Sequence, residues 1–111
     1  MEPEDPVDNQ LAAYNRHDVD AFAACYAPDA EVRAADGRLL MRGRDEIRDR
    51  YTQLFAEHPD VSAEVPNRIR AGDWIIDEEQ VQRGHEQFHV AVGYEIRDGL
   101  IRSVVMMRSE S

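Results

Sequence analysis

The second half of this chain is a row of strand-length runs, and that limits the fold more than any other feature. The runs are Ser62–Ala71, Trp74–Arg83, 88–97 and Leu100–Arg108. Gly72-Asp73, the stretch 84–87 and Asp98-Gly99 separate them, which is the chemistry of tight turns. Pro66 has no backbone N–H, so the first run is expected at a sheet edge or with a bulge. Helical periodicity lies ahead of Val61. Helices grouped first and strands grouped last predict an α+β domain, an antiparallel sheet with helices on one face.

In the first half, Val7, Leu11 and Tyr14, with Gln10 beside them, share a face at helical spacing. Asn15-Arg16-His17 interrupts that stripe. Asp18 is an N-cap for a second short helix, with Val19, Phe22, Ala23 and Tyr26 as its apolar face and Pro28 as its stop. A short strand around Glu31-Val32-Arg33, the turn Asp36-Gly37 and a strand near 38–41 read as a hairpin. Gly43 opens a third helix. Its inner face is Ile47, Tyr51, Leu54, Phe55 and His58, with Asp45 and Glu46 at the positive end and Pro59 after it.

A length of 111 residues fits one domain over 1–111, with residues 1–6 expected to fray. Thirteen basic against 23 acidic side chains leave a net charge of −10, which repels nucleic acid and anionic membrane surfaces. Cys25 is the only cysteine, so no internal disulfide forms, and its apolar helical setting reads as core packing rather than a reactive thiol. No apolar run approaches the roughly 18 residues that cross a bilayer. Met1–Pro6 is acidic, without the hydrophobic region of a secretory signal, so a cytoplasmic location is the expectation.

Phe88, Val90, Val92, Tyr94 and Ile96 alternate onto one face of their run, while Ala91 and Gly93 fall on the other. In the last run both faces are apolar: Val104 and Met106 on one side, Ile101, Val105 and Met107 on the other. Strands apolar on both faces are covered on both. Helices in so short a chain cover one, so the outer face of the sheet is expected to meet a second copy in a two-fold dimer.

The stretch Ala12-Ala13-Tyr14-Asn15-Arg16-His17-Asp18-Val19-Asp20-Ala21-Phe22, followed by Cys25-Tyr26-Ala27-Pro28-Asp29-Ala30-Glu31-Val32, resembles the opening of nuclear-transport-factor-2-like proteins. The ketosteroid-isomerase and SnoaL-like polyketide-cyclase branches are nearest in style. Arg42-Gly43-Arg44-Asp45-Glu46-Ile47 is similar to the start of that family's third helix, and Arg97-Asp98-Gly99-Leu100-Ile101 to its last hairpin. The resemblance implies a cone-shaped, cystatin-like curved antiparallel sheet, with three N-terminal helices enclosing a pocket. It also implies a small apolar or polycyclic ligand and no cofactor, in an isomerase-like or cyclase-like enzyme or a binding protein. A non-catalytic association module is the alternative on the same fold.

The isomerase catalytic positions fall on Gln10, Ala34 and Val92, which do not supply the base or the oxyanion acid. A slip of one residue brings Arg33 or Ala35 to the base position. Asp36, the carboxylate nearby, is explained by its turn. Tyr26 matches an aromatic of the pocket floor and Tyr51 a hydrogen-bonding tyrosine of the pocket. Tyr14 lies one turn beyond Gln10, and Tyr94 sits with Val92 on its strand. Trp74, Val104 and Met106 complete the expected ligand-binding set.

Asp77-Glu78-Glu79 lies within a strand run. Trp74, Ile76 and Glu78 share one face; Ile75, Asp77, Glu79 and Val81 share the other. Either set puts a carboxylate on the concave side, where a raised pKa suits proton transfer. Asp77 or Glu79 is the expected acid–base group, with Arg68 on the preceding strand as a neutralising partner. His85-Glu86-Gln87-Phe88-His89 spells H-E-x-x-H, but zinc binding by that pattern needs a helix. Here it runs into Val90-Ala91-Val92-Gly93-Tyr94, and on a strand its two histidines stand about 13 Å apart. No metal site is expected.

Overall fold

The structure, a computed structural model, describes residues 5–108. In chain order it has α1 (Pro6–Asn15), α2 (Val19–Ala24), β1 (Tyr26–Ala34), β2 (Leu39–Arg42) and α3 (Arg44–Glu57). The strands β3 (Ser62–Ala71), β4 (Trp74–Arg83), β5 (Glu86–Arg97) and β6 (Leu100–Arg108) follow. They form one six-stranded sheet in the order β2-β1-β6-β5-β4-β3.

Local chemistry explains most of these boundaries. Asp5 caps α1 by accepting from the Val7 amide, and Pro6 fills the first helical position, where no N–H is needed. Asp5 and Pro6 thus stand at the helix start; the other residues expected to fray, 1–4, lie outside the described residues. Asp18 caps α2 through the Ala21 amide. Gly43 adopts φ +89° ahead of α3, a conformation that costs other residues free energy.

Two expectations about the sheet are overturned. It is mixed, because β1 runs parallel to β6 while every other neighbouring pair is antiparallel. It is also not the cone of a strongly curled sheet: it is open, with β2 and β3 as separate edges. The edges themselves explain this. β2 has only four residues, and β3 is interrupted by a register shift between Glu64 and Asn67, around Pro66. Closure needs continuous pairing around the sheet.

The second helix ends at Ala24, and Tyr26, Ala27 and Pro28 belong to β1 instead. Pro28 is accommodated because β1 and β6 lose register between Tyr26 and Glu31. The hairpin between β4 and β5 is tighter than expected, with only Gly84 and His85 in the turn.

The core lies between the helices and the inner face of the sheet. Phe22, Ile47, Ile101 and Val7 are its largest fully buried apolar side chains. Each such burial contributes about 1.5–3 kcal/mol. Ile101 was expected on the outer face, but a register shift beside Ile96 turns it inward. The helices are tied to the edge strand β3 by polar contacts. Asn15 donates to the Ala63 carbonyl (2.9 Å) and accepts from its amide (2.8 Å), and His17 bonds the Val61 carbonyl at 2.7 Å. His17 also stacks on Phe55.

Candidate functional site

A cavity of about 250 Å³ lies between the three helices and the inner face of β3–β6. Tyr14, Tyr51, Phe22 and Leu54 form its helical wall. The rings interlock, with Phe22 4.4 Å from Tyr51 and Tyr14 5.5 Å from Phe55. The sheet wall comes from alternating residues of β5 (Phe88, Val90, Val92, Tyr94) and from Val104 and Met106 of β6.

β4 settles which of its faces points inward. Ile75 and Asp77 are buried, Glu79 is 8 % exposed, and Glu79, Val81 and Arg83 reach the cavity. Trp74, Ile76 and Glu78 take the opposite face. Trp74 therefore does not line the cavity; its ring lies against Gly93 of β5, where a β-carbon would meet it at about 3.5 Å.

The two inward carboxylates have different surroundings. Asp77 is 0 % exposed, stands outside the cavity lining, and is gripped by its cross-strand neighbour Arg68. Arg68 reaches both carboxylate oxygens, with Nε–Oδ1 at 2.6 Å and Nη2–Oδ2 at 2.9 Å. It reaches Asp8 of α1 with its remaining nitrogen. Such a bidentate pair is a structural clamp.

Glu79 has no ion pair among the described residues. The register explains why. Gln80 pairs with Glu64 and Glu78 with Asn67, so the bulge of Val65 and Pro66 stands opposite Glu79. The partner of Glu79 is instead Tyr94, which donates to Oε2 at 3.0 Å. Behind it runs a buried chain of hydrogen bonds. Tyr26 donates to Gln10 Oε1 (3.4 Å), and Gln10 Nε2 donates to the Tyr94 hydroxyl (3.3 Å). Gln10, Tyr26, Glu79 and Tyr94 all line the cavity.

Burial raises the Glu79 pKa to about 7; the Tyr94 hydrogen bond opposes this, the Asp77 charge adds to it, and Arg68 opposes it. Burial also pushes Tyr14 up to about 12, aided by the Glu79 charge and opposed by Arg83. Tyr26, Tyr51 and Tyr94 are shifted upward, mainly by burial. The cavity thus holds protonated phenols around a carboxyl group poised near neutrality. That arrangement is suited to taking and returning a proton.

Of the residues expected from the sequence, Gln10, Tyr14, Tyr26, Tyr51, Tyr94, Val92, Val104, Met106 and Glu79 come together here; Asp77 and Trp74 do not. Arg83 joins the lining unanticipated. The alternation 79, 81, 83 on one strand face is the signal that finds it. The H-E-x-x-H stretch is extended from Glu86 onward. His89 pairs with Glu78 at 2.7 Å, and neither residue lines the cavity. Among the described residues no cluster of three or more His, Cys, Asp or Glu is placed to hold a metal ion. None of their helices is long and apolar enough to cross a membrane.

The family model of the SnoaL-like domain matches residues 7–104. An uncharacterized cystatin fold protein of Novosphingobium aromaticivorans shares 25 % identity over 93 % of this chain and 95 % of its own, at a TM-score of 0.88. A protein of Catenulispora acidiphila with a ketosteroid isomerase-like fold, in complex with trimethylamine, shares 23 % identity. It covers 100 % of this chain and 89 % of its own, at a TM-score of 0.79. A SnoaL-like protein of Burkholderia thailandensis, of unknown function, shares 16 % identity over 93 % and 90 % of the two chains, at a TM-score of 0.81. No curated protein matches the chain.

Proposed function

This chain belongs to the SnoaL-like domain family, and from that premise we propose that its cavity takes a small, mainly apolar molecule and moves a proton on it without a cofactor. Members of this superfamily bind small ligands or act as cofactor-independent enzymes. The observation that carries the proton transfer is Glu79. It is a carboxylate at a cavity wall, with a tyrosine hydrogen bond and no cation paired to it among the described residues.

On a β,γ-unsaturated cyclic ketone, the Glu79 carboxylate takes the proton between the carbonyl and the double bond. The C–H electron pair forms the enolate. Tyr14 and Tyr51 are the hydrogen-bond donors for its oxygen. Glu79 then returns the proton to the far carbon, and the double bond moves into conjugation. Asp77, held by Arg68, fixes β4 and does not touch the ligand.

The test is conversion of a one-ring β,γ-unsaturated ketone, followed by ultraviolet absorbance. Glu79→Gln is expected to lose at least about 100-fold in turnover. Equal turnover in that variant sinks the role of Glu79. No turnover by the natural chain removes the proton transfer and leaves ligand binding alone.

The outer face of the sheet supports a second, independent proposal, a two-fold dimer. The helices cover the inner face only. Outside, Ile69 is 60 % exposed, and it borders a groove with Ile76, Ala91 and Met107. Sedimentation should give twice the chain mass, and Ile69→Glu should shift it toward one chain. A natural chain that sediments as a monomer at micromolar concentration refutes the dimer.

A further inference from the structure

Among the described residues the cavity lining has one acidic and one basic residue, Glu79 and Arg83. They lie on the same face of β4, four residues and so about 13 Å apart along the strand. Arg83 is the last residue of β4, and its side chain is 31 % exposed. That places it at the solvent end of the cavity, with Glu79 further in.

The guanidinium is held in place but not satisfied. It stacks over the Phe88 ring at 4.7 Å, and Phe88 is itself a cavity wall. Its one ion pair among the described residues is with Glu86, at 3.8 Å, and the Glu86 side chain is 65 % exposed. A pair so long and so solvated holds little. Nε is buried and has no hydrogen-bond partner among the described residues. A buried donor left unpaired is costly, and no acceptor among the described residues competes for this edge of the fork. The charge also reaches into the cavity, since it offsets part of the upward shift of the Tyr14 hydroxyl.

We infer that Arg83 is an anion subsite at the cavity mouth, and that the ligand is a small organic monocarboxylate. Its carboxylate meets the Arg83 fork, and its apolar body passes between Phe88 and the tyrosines toward Glu79. The volume sets the size. About 250 Å³ lies below the roughly 300–1,000 Å³ of sites for drug-sized ligands. One ring with a short side chain fits that space better than a polycyclic molecule. The net charge of −10 is no obstacle, because exposed charges are screened beyond about 8 Å at physiological salt. This inference rests on reading the cavity as a ligand site, and it is independent of proton transfer.

The experiment is titration calorimetry at physiological ionic strength with three probes of one shape: phenylpropanoate, phenylpropanamide and phenylpropylamine. The natural chain is expected to bind the carboxylate about tenfold or more tighter than the amide, and the amine weakest. In Arg83→Met the carboxylate-to-amide ratio should fall toward one. In Arg83→Lys, which keeps the charge but not the fork, it should be intermediate. Melting curves of both variants report whether the fold is intact. An equal or reversed ratio in the natural chain, tightest binding of the amine, or a ratio unchanged in Arg83→Met overturns the subsite. Binding of none of the probes overturns both the subsite and the ligand-site reading. A carboxylate preference without turnover on any ketone leaves the subsite standing and removes only the acid–base role of Glu79.

Discussion

Replacing Glu79 by glutamine should make the protein more stable, by an amount that grows from about pH 4.5 and is complete above about pH 7. The carboxyl has an ordinary pKa of 4.5 and titrates at about 7 in the folded chain. Between those values the native state holds a proton that the unfolded state has released. Stability therefore falls as pH rises through that window. Below about pH 4.5 both states are protonated and nothing is lost. Above about pH 7 the folded chain carries a buried carboxylate, and the full cost is present. At about 1.4 kcal/mol for each pH unit between the two values, that cost is about 3 kcal/mol. Glutamine has the same shape, still accepts from Tyr94, and never ionises. The assay is urea or thermal unfolding of both proteins from pH 5 to 8.5. The variant should exceed the natural chain by less than about 1 kcal/mol near pH 5 and by about 3 kcal/mol at pH 8, the latter more than about 10 °C in melting temperature for a chain of this size. A difference that does not change with pH would falsify the raised pKa and, with it, the reason for giving Glu79 an acid–base role.

Asp77→Ala should cost about 3 kcal/mol in urea unfolding, because it leaves Arg68 without its buried partner. The apolar pair Arg68→Met with Asp77→Leu should recover much of that; a double variant worse than the single one would show that the clamp itself is the stabilising element. Asn15→Ala should cost about 2 kcal/mol by removing both hydrogen bonds to the buried backbone of Ala63. A loss under about 0.5 kcal/mol would mean that the α1–β3 contact is held by packing alone.

The order of elements was legible because each boundary carries its own chemistry: Asp18 caps α2, Gly43 precedes α3, and Gly72-Asp73 and Asp98-Gly99 turn the sheet. Local signals found the end of β1, around Val32, but not its start at Tyr26 or its second partner. Its pairing with β6 joins residues some 70 positions apart, such as Val32 and Val104, and nothing near Tyr26 announces that partner. Pro28 read as a helix stop when it stands in a gap of the ladder. The inward face of β4 was equally closed to inspection, since Trp74 and Ile76 are as apolar as Ile75 and Val81. The alternation narrowed the choice to two faces, and the burial of Ile75 and Asp77 on the core side made it. Arg83 was hidden for a different reason: an arginine beside a turn reads as solvated until the cavity is seen to reach it.

Asp77 and Glu79 show how little of a site's chemistry lies in residue type. Both are carboxylates, two positions apart, on one face of one strand, and both are buried. What separates them is the opposing edge strand. Arg68 stands directly across from Asp77 and neutralises it. Two residues further, the β3 ladder is broken at Val65 and Pro66, and no cation stands across from Glu79. The proline anticipated as an edge or bulge residue therefore does more than end a ladder. By interrupting β3 at that point it withholds a facing counter-ion from the one carboxylate that, among the described residues, lines the cavity. Burial then raises the pKa of Glu79. The interruption at Pro66, readable in the sequence, leaves that burial without a facing cation to offset it.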